Sequence, residues 1–115
     1  SQAQPGEPSE VIRERVIKAR HIQEERFKDI KGIYCNAQMT ERMIHQYAEP
    51  DEAGISLLRM AMERLNLSAR AYNRILKVAR TIADLDASES VRSNHLAEAI
   101  SYRNLDRSDW AERGI

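Results

Sequence analysis

The chain has 115 residues, of which 42% are hydrophobic, 31% are charged and 5% are aromatic. A chain of this length can bury one hydrophobic core but not two, so we expect one domain with terminal segments. Eighteen basic residues balance eighteen acidic residues, and this balance gives no general argument for binding to nucleic acid or to a membrane. The single cysteine excludes an internal disulfide framework, and the sequence has no apolar run of about 18 residues; we therefore expect a cytoplasmic protein without a membrane partner.

The first predicted helix follows a segment that contains prolines. Residues 1–8 have no apolar periodicity and hold two of the three prolines, so we expect a disordered leading segment or residues added in cloning. Ser9 is a candidate N-cap, and apolar residues then recur at steps of three and four up to about Lys31, before Gly32 as a stop signal. The apolar residues of this helix are Val11, Ile12, Val16, Ala19, Ile22, Phe27 and Ile30.

The stretch IYCNAQM after Gly32 has no helical period and predicts an extended or irregular connection. We expect it to carry Tyr34 and Met39 into the core. Cys35 has no base beside it in the sequence, so we interpret it as a small buried hydrophobic residue rather than as a nucleophile.

Two shorter helices are predicted on either side of Pro50. Thr40 is the candidate N-cap of the second helix, and Asp51 is the candidate N-cap of a third helix that ends near Asn66. The apolar residues of the second helix are Met43, Ile44 and Tyr47, and those of the third are Ile55, Leu58, Met62 and Leu65.

The segment from 69 to 85 has the strongest helical pattern in the chain. Ser68 is its candidate N-cap, and apolar residues follow at helical spacing. Three small residues, Ala71, Ala79 and Ala83, would let neighbouring helices approach closely, so we expect this helix at the centre of a bundle. The remaining apolar positions are Tyr72, Ile75, Leu76 and Ile82.

A last helix is predicted after the turn DASES, with Ser93 as its N-cap and Leu96, Ala97, Ala99 and Ile100 as its apolar residues. The sequence thus predicts an all-α domain of about five helices over 9–107. The residues 108–115 are expected to form a C-terminal tail that Trp110 could anchor.

Known catalytic and metal-binding motifs are missing from the sequence. It has no Gly-rich phosphate loop, no pair of cysteines and no HExxH motif. We interpret the histidines, which fall on three different predicted helices, as ordinary surface or half-buried residues: His21, His45 and His95. We interpret the methionines as core residues rather than as metal ligands: Met39, Met43, Met60 and Met62.

The basic residues are unevenly distributed along the chain. Six of them fall between residues 59 and 80, where Glu63 is the one acidic residue. Arg70, Arg74 and Lys77 are spaced to form a basic ridge on the fourth helix, opposite its apolar stripe. A solvated face, a phosphate site and an interface with an acidic surface all remain open. Arg70 lies in the first helical turn, where a cation is unfavourable unless an anion is brought to it.

The segments GEPSEVIRERVIKAR, NAQMTERMIHQY and LNLSARAYNRILKVARTIADL resemble the C-terminal domain of the magnesium-chelatase-related AAA+ proteins of the ComM/YifB type. The resemblance extends from about Gly6 to Arg107. It implies a helical lid that follows an α/β ATPase core in the same chain. The full-length protein would then be an ATPase that uses ATP and Mg²⁺ and forms a homohexamer, whereas this fragment alone would have no enzymatic activity, cofactor or metal.

The resemblance also implies site residues and a process. Ser68, Ala69 and Arg70 match the family's sensor 2 position, so Arg70 would bind the ATP γ-phosphate, with Arg74 as a weaker secondary contact. Arg13 and Arg15 match the family in residue type and would be structural or interface residues. DNA remodelling, such as branch migration in competence, is the process that the resemblance implies. The lid of a metal-chelatase motor subunit and a stand-alone helical adaptor for a protein partner remain alternatives.

Overall fold

The computed structural model describes residues 9–101, and every regular element in that range is helical. The α-helices are α1 (Ser9–Phe27), α2 (Glu41–Tyr47), α3 (Glu52–Leu65), α4 (Ala69–Leu85) and α5 (Ser93–Ile100), with one 3-10 turn at Asn36–Gln38. The predicted all-α fold of five helices is confirmed. The leading segment 1–8, the end of the predicted domain, the tail 108–115 and Trp110 lie outside the described residues.

Helix α4 is the centre of the bundle, as its small residues predict. It packs against α1, α2, α5 and the 3-10 turn. Ala71, Ala79 and Ala83 are completely buried, so the neighbouring helices lie close to the α4 backbone. The core around α4 is aliphatic, and its most deeply buried large side chains are Ile44, Leu58, Ile75, Leu76, Val91 and Leu96.

Three predicted N-caps are confirmed by hydrogen bonds to the first turn of their helices. Thr40 Oγ1 accepts from the Met43 N–H at 3.2 Å, and Asp51 Oδ1 accepts from the Gly54 N–H at 2.8 Å. At the start of α4, Ser68 Oγ accepts from the Ala71 N–H at 3.2 Å. Each bond satisfies a donor that has no partner within the helix.

The predicted cap of α5 is wrong. Ser93 is the first helical residue, and Arg92 takes the N-cap position without a capping side chain. Instead the His95 ring reaches back, and its Nδ1 accepts from the Arg92 N–H at 3.0 Å. The third helical residue therefore satisfies the N–H of the N-cap residue, which is the backward bond of a capping box, and no side chain caps the first turn from position 92.

The first helix is shorter than predicted and ends at Phe27 rather than near Lys31. The Ile30 N–H donates to the Phe27 carbonyl at 2.9 Å, which closes a turn and stops the helical ladder. Gly32 lies in the following turn with φ at +86°, a left-handed conformation that glycine adopts without strain.

Two expectations about the connection after Gly32 are also wrong. Tyr34 is 74% exposed, and Cys35 is exposed. Asn36 takes the buried position because its amide finds charged partners inside the bundle, while Gln38 Oε1 accepts from the Tyr34 N–H at 2.6 Å at the surface. Met39 is buried as predicted.

Helix α3 buries less of its apolar stripe than predicted. It contacts α5 where Gly54 lies so close to Leu96 that a β-carbon on the glycine would come within 2.7 Å of Cδ1. Leu58 is buried beside this contact, but Met60 and Leu65 are exposed, so the prediction of Met60 as a core residue is wrong. Met60 lies on the side of α3 opposite Leu58, whereas Leu65 lies on the same side as Leu58 but is the last residue of the helix.

Candidate functional site on helix α4

The basic ridge runs from an exposed helix start towards the 3-10 turn. Arg70 is the second residue of α4 and is exposed, whereas Arg74 and Lys77 are half-buried. Lys77 Nζ donates to the carbonyl of Ala37 at 3.2 Å. The ridge is thus anchored at its carboxyl end, and its amino end carries an arginine open to solvent.

The start of α4 favours an anion in front of Arg70. The first turn of any helix presents N–H groups without intrahelical partners and the positive end of the macrodipole. Ser68 accepts from the Ala71 N–H, so the side-chain cap leaves the earlier N–H groups of the turn to other acceptors. A phosphate group at this position could accept hydrogen bonds from the backbone N–H groups of the first turn and from the planar guanidinium of Arg70.

A buried cluster of charged and amide side chains lies near the carboxyl end of α4. Its members are Arg26, Asn36, Arg80 and Asp84. Arg26 binds Asp84 with both terminal nitrogens, at 2.7 Å and 2.8 Å, and Arg80 Nη2 lies 3.0 Å from Asp84 Oδ1. The Asp84 side chain is completely buried. It therefore accepts from two guanidinium groups inside the protein, which joins α1 to α4.

Asn36 connects the 3-10 turn to the same cluster. Its Nδ2 donates to Asp84 Oδ2 at 2.8 Å and to Thr81 Oγ1 at 3.1 Å, while its Oδ1 accepts from Arg26 at 2.8 Å. The Asn36 N–H donates to Gln23 of α1 at 3.0 Å. These bonds fix the 3-10 turn against α4. The carbonyl of Ala37 in that turn accepts from Lys77 of the ridge.

The distribution of charged residues along the sequence does not reveal that Arg80 is buried. It is 3% exposed and donates to the carbonyls of Tyr47, Ser88 and Glu89 at 2.6 to 3.1 Å. Burial lowers the pKa of Arg80 from its ordinary value, the carboxylate of Asp84 opposes that shift, and the nearby Arg26 charge adds to it. The residue stays charged, since arginine does not lose its proton in proteins.

The sequence gives only part of this cluster. Arg80 and Asp84 are four residues apart on one helix, which is a visible ion-pair spacing. Arg26 and Asp84 are 58 positions apart, and no local pattern reports that contact. Asn36 has no signal at all, because a polar residue in an irregular segment is expected at the surface.

His95 differs from the other two histidines. It is 2% exposed, and its Nε2 lies 3.1 Å from Asp86 Oδ2, so the expectation of a surface or half-buried residue is wrong here. Because Nδ1 accepts from the Arg92 N–H, the proton of the neutral ring lies on Nε2 and is donated to Asp86. His21 and His45 are exposed and lie beside glutamates on their own helices or at their ends.

Residues 9–101 contain no group of three His, Cys, Asp or Glu side chains that could hold a metal ion. Within the same range, no helix combines the length and apolar character needed to cross a bilayer.

Comparison with known proteins identifies the relatives of this chain. Residues 6–103 match the family described as magnesium chelatase, subunit ChlI C-terminal. The chain is 42% identical over 102 residues to the competence protein ComM of Haemophilus influenzae, covering 89% of this chain and 19% of that protein. It is 40% identical over 103 residues to YifB of Escherichia coli, covering 90% of this chain and 19% of that protein. The chain thus spans about a fifth of the length of the curated relatives it matches.

Proposed function

The chain belongs to the family of the magnesium chelatase ChlI C-terminal domain, and from that premise we propose that it is the helical lid of a larger AAA+ ATPase of the ComM/YifB type. The length of its relatives supports this proposal, since about four-fifths of each lies outside the match. In this proposal the α/β core in the rest of the protein binds ATP and Mg²⁺. The lid supplies one arginine to that site.

Arg70 is the arginine that we assign to the nucleotide. The observation that carries this assignment is an exposed arginine in the first turn of α4, the helix against which α1, α2, α5 and the 3-10 turn pack. Binding of the γ-phosphate would neutralise a cation at the positive end of a helix and would stabilise the charge that develops in phosphoryl transfer. Loss of the γ-phosphate would remove that contact and release the lid. Arg74, one turn further on, is proposed as a weaker contact.

The full-length protein is proposed to act on DNA as a homohexameric motor in the cytoplasm. The name of the Haemophilus relative, a competence protein, supports a role in DNA uptake, for which branch migration is the proposed reaction. The family description, magnesium chelatase, favours a second candidate, the insertion of a metal into a porphyrin. Stimulation of ATP hydrolysis by branched DNA, compared with stimulation by a porphyrin and Mg²⁺, distinguishes the two candidates.

The test is the Arg70→Ala variant of the full-length protein. We expect ATP hydrolysis to fall at least about tenfold, because loss of an arginine finger can cost about a thousandfold or more. Arg70→Lys should recover only part of the rate, since an ammonium group cannot make the bidentate contact. Arg59→Ala removes another exposed helical arginine and is the matched control; its rate should stay within about twofold of the wild-type rate.

Folding must be measured beside the activity. Replacement of an exposed arginine by alanine should change the free energy of unfolding by about 0.5 kcal/mol or less. An Arg70→Ala protein that is folded and hydrolyses ATP at the wild-type rate would remove Arg70 from the site. The ridge would then be an ordinary solvated face.

A further inference from the structure

A groove with a positive rim opens between α1, the irregular connection that follows it and the end of α4. Its volume is about 880 Å³. Two of its lining residues, Ala19 and Phe27, are buried in the bundle and give it an apolar floor. Its charged lining residues are exposed and comprise three cations and one carboxylate: Arg20, Lys28, Lys31 and Glu24. We call this depression and its lining residues the α1 groove.

Tyr34 adds an aromatic ring to the α1 groove. It lines the groove and is 74% exposed, the largest value among the exposed large hydrophobic residues of 9–101. A ring in water contributes no burial to the fold. Its two faces are therefore available to a flat ligand that enters the groove.

The backbone that carries Tyr34 is held in place. Gln38 Oε1 accepts from the Tyr34 N–H at 2.6 Å and from the Cys35 N–H at 3.3 Å. The next residue, Asn36, is 1% exposed and donates to the buried carboxylate of Asp84 at 2.8 Å. These bonds present the ring at the groove before any ligand arrives, which lowers the entropy lost on binding.

The chemistry of the α1 groove fits a single-stranded nucleic acid. Proteins bind single strands by stacking bases on aromatic side chains and by placing cations along the phosphates. In a duplex the bases stack on one another, so the ring of Tyr34 would have no free base to contact. An acidic peptide would pair with the cations but would make no use of the exposed ring.

Lys28 has a carboxylate partner that a phosphate can replace. Its Nζ lies 2.7 Å from Glu25 Oε1, but the two side chains are 58% and 74% exposed. Ion pairs as exposed as this one are weak in water. The pair therefore leaves Lys28 able to contact a phosphate at the rim.

We propose that the α1 groove binds single-stranded DNA, with a base on the ring of Tyr34 and backbone phosphates on Lys28, Lys31 and Arg20. This inference rests on the proposed function, in which the full-length protein remodels DNA, and it adds a contact for the unpaired strand. Thr81 of the groove lies near the carboxyl end of α4, whereas Arg70 lies at the amino end. The DNA and the nucleotide would thus contact different ends of one helix.

Fluorescence anisotropy of a labelled oligothymidine of about 12 nucleotides, titrated with the 115-residue chain, tests the proposal. The chain has no net charge, so we expect weak binding that depends on salt. Three phosphate contacts predict that the logarithm of the association constant falls by about 2 for each tenfold rise in salt concentration. A duplex of the same length should bind more weakly. No binding of the oligothymidine at about 50 mM salt, or equal or tighter binding of the duplex, would overturn the proposal.

Substitutions at the ring separate stacking from charge. Tyr34→Ala should weaken binding of the oligothymidine at least about fivefold, because one stacked base is lost. Tyr34→Phe keeps the ring and should stay within about twofold of the wild-type affinity. Wild-type affinity in Tyr34→Ala would contradict the proposal. Equally effective competition by polyglutamate would also contradict it, since it would show a site that recognises charge alone.

A matched pair of charge variants locates the phosphates. Lys31→Ala should weaken binding and reduce the salt dependence by about 0.7, the value for one phosphate contact to a single strand. Arg42→Ala removes the same charge from an exposed position on α2 that does not line the groove, and it should leave the salt dependence unchanged. Equal effects of the two substitutions would overturn binding at the α1 groove.

The same measurements distinguish failure of this inference from failure of the proposed function. Binding of the oligothymidine through Tyr34, in a full-length protein whose ATP hydrolysis does not respond to DNA, would disprove the motor function alone. Conversely, ATP hydrolysis that branched DNA stimulates, in a protein whose affinity for the oligothymidine ignores Tyr34→Ala, would disprove the α1 groove alone.

Discussion

Helices α4 and α1 are the two longest of residues 9–101, the part of the chain that the structure describes, and different interactions hold them in the bundle. Helix α4 has 17 residues and buries eight of them, six of which are apolar. Helix α1 has 19 residues and buries two, Ala19 and Phe27. Both helices follow from apolar periodicity, but periodicity alone does not report how much of a helix is covered. The covering elements decide that, and for the first half of α1 the described bundle provides few of them.

The attachment of α1 includes a polar link near its carboxyl end, beside the buried ring of Phe27. Arg26, in the last turn, binds the buried Asp84 of α4, and its guanidinium also lies over the rings of Phe27 and Tyr47. Interactions of this kind have strict geometry and high cost when one partner is missing. The contrast predicts that the attachment of α1 is most sensitive to the loss of a charged residue. The position of α4 is most sensitive to the loss of packed aliphatic side chains.

The largest effect on stability is expected for Asp84→Ala. The substitution leaves Arg80 buried without its carboxylate and removes the ion pair that links α1 to α4. The free energy of unfolding should therefore fall by about 3 to 5 kcal/mol. Chemical denaturation of the 115-residue chain measures the change. Asp29→Ala, at an exposed aspartate, is the control and should lie within about 0.5 kcal/mol of the wild-type protein. Similar values for the two variants would show that the buried cluster does not hold the helices together.

Leu76→Ala tests the aliphatic packing of α4. Leu76 is 2% exposed and belongs to the core cluster, so the cavity left by the substitution should cost about 2 to 5 kcal/mol. The midpoint of urea unfolding at constant slope reports the loss. A loss below about 0.5 kcal/mol would mean that α4 is not the packed centre of the domain.

The smallest effect is expected for Val16→Ala on α1. In the 115-residue chain the free energy of unfolding should change by about 0.5 kcal/mol or less, because the side chain is 40% exposed and alanine is the better helix former. The same denaturation measurement applies. Destabilisation above about 1 kcal/mol would place Val16 in the core of the chain itself and would remove the contrast with α4.

The parts of the fold that the sequence predicts are those with local causes. The bounds of α4 and the caps at Thr40, Asp51 and Ser68 follow from short patterns in which a side chain bonds a backbone donor two or three residues away. The end of α1 and the start of α5 were mispredicted because other local bonds replaced the expected ones, through the turn at Ile30 and the ring of His95.

The parts that the sequence could not predict depend on contacts between distant positions. The place of Arg80 and of Asn36 follows from Asp84 and Arg26, which only the folded chain brings together. The candidate site shows the same division. A cation in a first helical turn marks Arg70 from the sequence alone, but the link from Lys77 to the 3-10 turn spans 40 positions and has no local signal.

The central claim is that Arg70 binds the γ-phosphate of ATP. The most direct test compares the binding of two nucleotides. Equilibrium binding of ADP and of a non-hydrolysable ATP analogue is measured on the full-length wild-type protein and on Arg70→Ala. A contact to the γ-phosphate alone predicts that the variant loses at least about tenfold in affinity for the ATP analogue, equivalent to about 1.4 kcal/mol, while its affinity for ADP stays within about twofold. Equal losses for the two nucleotides, or no loss for either, would contradict the claim.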